Sequence, residues 1–527
     1  MSLRTSFLRR RATWLILGLF GWQWWLLAAA AAPSWDGAFY YAYARSIVFD
    51  GDLHLSNDLQ LAYPTAGEQF AHKRLDQDLT ATGYVNNPFA PGAALLWLPW
   101  LAGLRLLAFL TGQSQLTGYE WPFTLGAATL SALAGLAAFG LAQRLARKVT
   151  TPDAAWLATL TLMLTTPLLH YQFREPFYSH AAAALATTGI VIYWQRTTSQ
   201  EDRSAWSGFW LGAVIGLAAL VRWQHVLYLA LPILTLIGDG IALPSGRRWA
   251  ALPRFARYAV GLGLGVAALL SIQFALWRLF YGRWFVLPQG ESFLDWRAPW
   301  LWPALTSTFH GLLTWMPVAL PAVIGLGSLT RRHARLAWPL LGLLALELFL
   351  SGSTRDWFAG GGYGPRRFSS ELAIWLLGYA AFVEWARRRW LTVMLSLGLV
   401  WQQWVLLRYG IAQQMGGFVV SMAPDFRWQD MTWGAYFRQI GEYAWRAVGQ
   451  ARDFWVLPDS PLAHWLAGTF PWSWVGLMAG LLLLGYGAWR GFGRIPATPR
   501  WLLIGLLLLS LLALNFWILR QTPPPHP

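Results

Sequence analysis

Apolar runs of about 20 residues, separated by short charged or turn-rich segments, recur along the whole chain. Trp14 to Ala32, Val260 to Phe280 and Trp501 to Leu519 are clear cases. A helix of that length crosses a hydrocarbon core of roughly 30 Å and satisfies its own backbone hydrogen bonds. The pattern predicts an all-α, polytopic transmembrane bundle. Its spans fall near 12–32, 121–143, 153–169, 177–195, 206–222, 224–240, 256–281, 304–328, 336–352, 368–386, 390–412, 471–490 and 500–520, about 13 in all. Trp and Tyr are frequent at the ends of these runs, as in interfacial aromatic belts. One apolar stretch, 91–111, is left over.

Charge sets the orientation. The chain has 527 residues and a formal net charge of +16, yet only 12% of its residues are charged; a soluble domain carries about 25%. The basic residues lie in short clusters between spans: Arg9 to Arg11, Arg144 to Lys148, Arg196 and Arg203, Arg247 to Arg257, Arg331 to Arg335, Arg387 to Arg389, and Arg490 to Arg500. The positive-inside bias reads these as cytoplasmic loops of a multi-pass cytoplasmic (inner) membrane protein, which excludes a nucleic-acid surface. With the N-terminus inside, the outer loops are 33–90, 170–177, 282–303, 353–367 and 413–470. The first is acidic: Asp36, Asp50, Asp52, Asp58, Glu68, Asp76 and Asp78 stand against Arg45, Lys73 and Arg74. If 91–111 also spanned, every later basic cluster would face out. Either it or 121–143 is therefore expected to lie at the interface or re-enter, and Asn87-Pro88-Phe89-Ala90-Pro91-Gly92 suits an oblique entry.

Met1 to Ala32 has the basic start and apolar core of a signal peptide. Its apolar stretch is longer than usual and many spans follow, so it is read as a retained first helix. Residues 1–412 form one module with the first outer loop and its interfacial helices. Residues 413–527 form an amphipathic outer loop and the last two spans. No cysteine is present, which removes disulfides, thiol chemistry and Cys-ligated metals.

The chemistry-bearing residues fall on the outer side. Asp36, in Trp35-Asp36-Gly37-Ala38-Phe39-Tyr40-Tyr41, sits just outside the first span, where a carboxylate is costly unless solvated, paired or functional. It is either a catalytic base or the N-cap of a helix running to Val48. Tyr40 and Tyr41 would line the same cavity. Asp50-Gly51-Asp52 is either a turn or a hard-oxygen site for a divalent cation. Arg174-Glu175-Pro176-Phe177-Tyr178-Ser179-His180 brings an acid and a histidine to one membrane level. There Glu175 and Ser179 would share a helix face, and a local ion pair is the alternative. Lys73, Arg74, Arg222, Arg355, Arg366 and Arg367 are outward cations. They either anchor to headgroups or present guanidinium forks to a phosphate, the latter favoured where glycines precede Arg366-Arg367. His310 either lines a cavity or is a satisfied interfacial histidine. One outward-opening cavity with acids and cations fits group transfer from a lipid phosphate: a base for an acceptor hydroxyl and cations for the leaving phosphate.

These residues resemble a known group. Trp35-Asp36-Gly37 through Asp52, Asn87-Pro88, Pro91-Gly92, Glu175 to His180, His310-Gly311-Leu312-Leu313-Thr314-Trp315 and Gly364 to Phe368 look like the GT-C polytopic glycosyltransferases. Within these, the chain is similar to protein O-mannosyltransferases and the lipid A aminoarabinose transferase. The resemblance implies a polyprenyl-phosphate sugar donor, a periplasmic active site, a lipid, glycan or protein acceptor, and inversion at the sugar carbon. It implies Asp36 as the first-loop aspartate acting on the acceptor, as its base, and Glu175 as a second acidic residue. Arg45, Arg222, Arg366, Arg367 and Lys73 become donor-phosphate contacts, and Tyr40, Tyr41, His180, His310 and Asp52 become cavity residues. No metal is expected, with Asp50 and Asp52 keeping a divalent cation open. From these segments, no large C-terminal outer domain of the kind such enzymes carry is expected. The competing readings are a lipid-linked polysaccharide ligase or polymerase, and a lipid or sugar flippase or transporter.

Overall fold

A computed structural model describes residues 32–62, 79–113, 115–173, 175–198, 203–297, 299–360, 362–386, 390–400, 402–403, 432–434 and 438. The expected spans at 12–32, 471–490 and 500–520, the outer loop 413–470 apart from four of its residues, and Lys73 lie outside the described residues. The described part is helical, and no strand longer than an isolated bridge occurs in it.

The apolar periodicity becomes helices α1 (Asp36–Arg45), α2 (Ser56–Ala62), α3 (Ala94–Leu110), α4 (Trp121–Ala146), α5 (Pro152–Thr165), α6 (Leu168–Phe173), α7 (His180–Thr198), α8 (Ala205–Val221), α9 (Ala230–Ala242), α10 (Ser245–Tyr281), α11 (Leu301–Thr306), α12 (Leu312–Trp315), α13 (Ala319–Leu329), α14 (Ala334–Ser353) and α15 (Leu372–Trp385). Local signals set their ends. Thr151 caps α5 by accepting the Ala154 N–H, with Pro152 in the first turn, and Ser204 caps α8 through Ser207. Gly282, at φ 71°, stops α10. Five helical segments are long and apolar enough to cross a membrane: Pro91–Leu110, Trp121–Ala146, Trp223–Ala242, Ser245–Tyr281 and Ala334–Ser353. The chain is a multi-pass membrane protein. Both stretches between which charge parity had to choose are long, apolar helices, and they pack side by side.

Two expectations are corrected. The span expected at 304–328 is three short helices, α11 to α13, because Gly311, a left-handed His310 (φ 59°) and Pro317 interrupt it. The basic stretch Arg247 to Arg257 is not a loop but the first turns of α10. That helix has 37 residues, about 55 Å at 1.5 Å per residue. It outruns the hydrocarbon core and carries its arginines beyond it.

The tightest helix pair is α8 against α10, and glycines make it. A Cβ on Gly208 would come within 2.2 Å of the Tyr258 carbonyl oxygen, and one on Gly212 within 2.0 Å of that of Leu262. Facing them, Gly261 and Gly265 meet the carbonyls of Ala205 and Phe209 at 1.9 and 2.0 Å. Small residues four apart let backbones touch, which replaces the hydrophobic driving force that lipid removes. Gly212→Val is expected to destabilise the protein by about 3 kcal/mol, read as a lower melting temperature in detergent. Gly103→Ala, where an added Cβ meets nothing within 4 Å, is the control.

Candidate functional site

Asp36 opens α1 rather than capping it. Trp35, at φ 47°, precedes it and makes no side-chain cap bond. The Asp36 carboxylate instead forms an ion pair with Arg366 Nη1 at 2.6 Å, across 330 residues of sequence. The helix-cap alternative is therefore replaced by a long-range pair. Gly37 permits it: a Cβ there would sit 2.9 Å from the Phe177 Cβ, so only glycine lets the start of α1 lie on the 175–178 turn.

Arg366 is fixed from several sides. Its Nε donates to the Ala359 carbonyl at 2.8 Å, and its guanidinium lies 5.7 Å from the centre of the Tyr178 ring. Burial works against its charge, but Asp36 beside it more than offsets that and holds the guanidinium above its ordinary range. Arg367 goes the other way: burial lowers it, against the pull of Asp356, which accepts from its Nη2 at 2.5 Å.

A second chain of contacts joins Arg222 to the same place. Ser369 Oγ donates to the Arg366 carbonyl at 2.8 Å and lies 2.8 Å from His180 Nδ1. Arg222 Nη1 sits against the same imidazole, 2.9 Å from Nδ1 and 3.1 Å from Nε2. Arg222 Nη2 also donates to Gln224, whose amide donates to the Arg367 carbonyl at 3.2 Å. Three arginines from two segments thus share one bonded frame.

The remaining expected residues divide. Glu175 lies beside the Asp36 segment: Ser34 Oγ donates to its Oε2 at 3.4 Å. It sits in a turn before α7, so it does not share a helix face with Ser179. Tyr40 backs the site and accepts from Ser179 Oγ at 3.0 Å; burial raises its hydroxyl pKa. His310 donates from Nδ1 to the Phe358 carbonyl at 2.8 Å, which ties it to the loop that carries Arg366. Of the described non-glycine residues, only Trp35, His310 and Ala359 have positive φ. Each adjoins a group in direct contact with this loop or its ion pair, and such strain is retained where the surroundings over-determine it.

Three expected residues lie elsewhere. The Arg45 guanidinium is committed to Asp50, to Asp58 at 3.2 Å and to the Thr117 carbonyl at 2.8 Å. It is a buried structural ion rather than a member of the arginine frame. Tyr41 is a core residue: it is fully buried, donates to the Gly118 carbonyl at 2.6 Å and packs on Trp97, Tyr119 and Phe177. Asp52 is exposed and closes a turn, accepting from Ser46 Oγ at 2.8 Å and the His54 N–H at 3.0 Å, and the second of these lowers its pKa most. Asp50 accepts from Arg45 and from Asn57, and Gly51 has φ 72°, as the turn reading requires.

Asp58 gives a pH signature. Burial raises its carboxyl to about 7 from 3.8, against the opposing pull of Arg45. The folded chain therefore binds the proton more tightly than the unfolded one. Stability is expected to fall as pH rises from about 4 to about 7. Asp58→Asn is expected to flatten that slope in melting curves taken across this range.

Tyr171, Asp356 and Ser369 complete the site without having been singled out. Tyr171 donates to the Tyr363 carbonyl at 3.1 Å and packs against His180, with ring centres 4.0 Å apart. No sequence motif marks them, because their roles arise from contacts nearly 200 residues apart or from a loop turn.

No family model matches this chain, and no curated protein matches it. Among solved structures, two of the aminoarabinose transferase ArnT from Cupriavidus metallidurans match it over its length. The structure bound to undecaprenyl phosphate aligns with a TM-score of 0.50 at 14% identity, covering 97% of this chain and 76% of that one. The apo structure gives 0.50 at 15% identity with the same coverage. The chain has an ArnT-like GT-C fold. At this identity the likeness carries the architecture alone, and the chemistry rests on the geometry above.

Proposed function

We propose that the protein is a membrane glycosyltransferase. It moves a sugar from a polyprenyl-phosphate donor to an acceptor hydroxyl on the extracytoplasmic face of the cytoplasmic membrane, with inversion. The observation that carries this reading is the Asp36–Arg366 pair, held between the first outer segment and the loop before α15, with Arg222 and Arg367 in the same bonded frame. An acid beside several arginines is what the reaction requires, and the ArnT-like fold is that of a protein crystallised with undecaprenyl phosphate.

The ion pair is the resting state. A donor phosphate takes Arg366, a fork with five N–H donors, and frees the Asp36 carboxylate. Asp36 then accepts the proton of the acceptor hydroxyl while the acceptor oxygen bonds to the sugar carbon. The bond from that carbon to the phosphate oxygen breaks, and the oxygen keeps the electron pair. Arg366 and Arg222 stabilise the charge on the leaving phosphate. Glu175 orients the acceptor. Lys73, in the first outer loop, is a further donor contact in this reading. Arginines supply the neutralisation that a divalent cation would otherwise give.

Purified protein, radiolabelled polyprenyl-phosphate sugars and a cell-envelope extract test this. Label is expected in a new, chromatographically distinct product carrying one added sugar. A product carrying a whole glycan would identify a ligase or polymerase instead. Movement of intact donor across liposomes without a covalent product would overturn the enzyme reading.

A further inference from the structure

Helix α10 ends beside the candidate site. Tyr281 Oη donates to Asn86 Oδ1 at 2.8 Å, and the next residue, Asn87, donates to the Phe39 carbonyl of α1 at 3.3 Å. The first turns of α10 therefore lie at the far end of the bundle, on the other side of the membrane. There α10 outruns its partner. Tyr258 and Gly261 meet the opening turn of α8, at Gly208 and Ala205, so the part of α10 before Tyr258 projects past the start of α8. On this overhang the helical period sorts the side chains. Arg247, Arg254 and Arg257 stand in line with Tyr258 and Gly261, on the face that packs on α8 further along. Trp249, Leu252 and Val260 follow one another along the opposite face and are 80%, 52% and 61% exposed.

Neighbouring groups fix this corner without neutralising it. Asp239 of α9 accepts from Arg203 Nη2 at 2.5 Å and from Arg335 Nη2, at the start of α14, at 2.8 Å. Arg203 in turn lies 6.0 Å from the ring centres of Phe255 and Tyr258, which seats the Asp239 pair against α10. Arg248 turns back onto the end of α9, donating to the carbonyls of Leu243 and Ile241 at 3.0 and 3.1 Å. The ion pairs among the described residues use Arg45, Arg203, Arg335, Arg366 and Arg367. Arg247, Arg254 and Arg257 are exposed and enter none of them.

Depth says what their partner is. Counted back from Tyr281, about 20 residues fill the hydrocarbon core, and the count ends near Gly261. Arg257 and Arg254 then fall in the headgroup layer, at the level of the lipid phosphates. The exposed apolar stripe from Val260 to Trp249 keeps lipid beside the helix past that level. Guanidiniums one turn apart on a helix face repel one another, and a phosphate held between them removes that cost.

We propose that the arginine face of this overhang, Arg247, Arg254 and Arg257, binds an anionic phospholipid of the leaflet opposite the candidate active site. The transfer reaction plays no part in it, and its test does not use turnover. Full-length protein is melted in nanodiscs of phosphatidylcholine and of phosphatidylcholine mixed with phosphatidylglycerol. Phosphatidylglycerol is expected to raise the melting temperature by several degrees. Arg254→Gln combined with Arg257→Gln is expected to remove most of that gain and to leave melting in phosphatidylcholine unchanged. Arg147→Gln, at an exposed arginine just past the end of α4, is expected to keep the gain. Equal melting in the two lipids, or the same loss from Arg147→Gln, overturns the site. If the double variant does not fold, binding of labelled phosphatidylglycerol in detergent is measured on the native protein and on each single variant. Saturable binding that weakens about fivefold for each arginine removed supports the site. Absence of saturable binding to the native protein, or binding that both single variants leave unchanged, overturns it. Displacement by glycerol phosphate as effective as by unlabelled phosphatidylglycerol overturns the assignment to a lipid.

Discussion

Asp36→Asn is expected to lower transfer at least 10³-fold, roughly the contribution of a positioned general base, while the protein still folds and binds its donor. Asparagine keeps the shape of the side chain and one acceptor oxygen for Arg366, so the loop before α15 stays in place. It cannot take a proton from a hydroxyl. Donor affinity supplies the sign that distinguishes this account from a structural role. The native carboxylate competes with a phosphate for Arg366, at 2.6 Å. Removing its charge is expected to leave donor binding equal or tighter, while kcat collapses. Equilibrium binding of a labelled polyprenyl phosphate, beside single-turnover transfer, separates the two. Transfer at the native rate would remove Asp36 from the chemistry. A loss of donor binding equal to the loss of transfer would make the pair a structural clamp.

Arg366→Ala is the second large effect. One guanidinium bonds to Asp36 and to the Ala359 carbonyl and lies over Tyr178. Its loss removes the cation that faces the donor phosphate and leaves Asp36 without its buried partner. A charge-assisted hydrogen bond is worth about 1.5–3 kcal/mol, so donor affinity is expected to fall about 10²-fold, with transfer falling further. Arg366→Lys is expected to recover little. An ammonium carries the charge but not the fork that reaches Ala359 and a second anion together. In the cycle with Asp36→Asn the two losses are expected to be strongly non-additive, because each variant disables the same pair. Additive losses would mean that the two residues act separately.

The helices were legible because membrane spans are written in local composition. The runs 206–222, 224–240 and 336–352 match α8, the segment Trp223–Ala242 and α14 within a few residues. The run 304–328 was not: its mean apolarity hides the backbone break at His310 and Gly311, which depends on the Phe358 carbonyl supplied by another loop. The glycines of α8 and α10 stood four apart in the sequence, yet nothing local says that they face one another.

At the site the same division holds. Composition, charge clustering and span length by themselves determined a polytopic helical protein, and they predicted Asp36, Glu175, Arg222, Arg366 and Arg367 on one side of the membrane. These are properties of short windows, and short windows are what hydropathy and charge report. Only the tertiary structure decided which of those charges meet. It joined Asp36 to Arg366 across 330 residues and Arg222 to Ser369 through His180. It also withdrew Arg45 into a buried cluster with Asp50 and Asp58 and Tyr41 into the core. A charge confined to low dielectric takes the best partner within a few ångströms, and packing alone determines which residues those are.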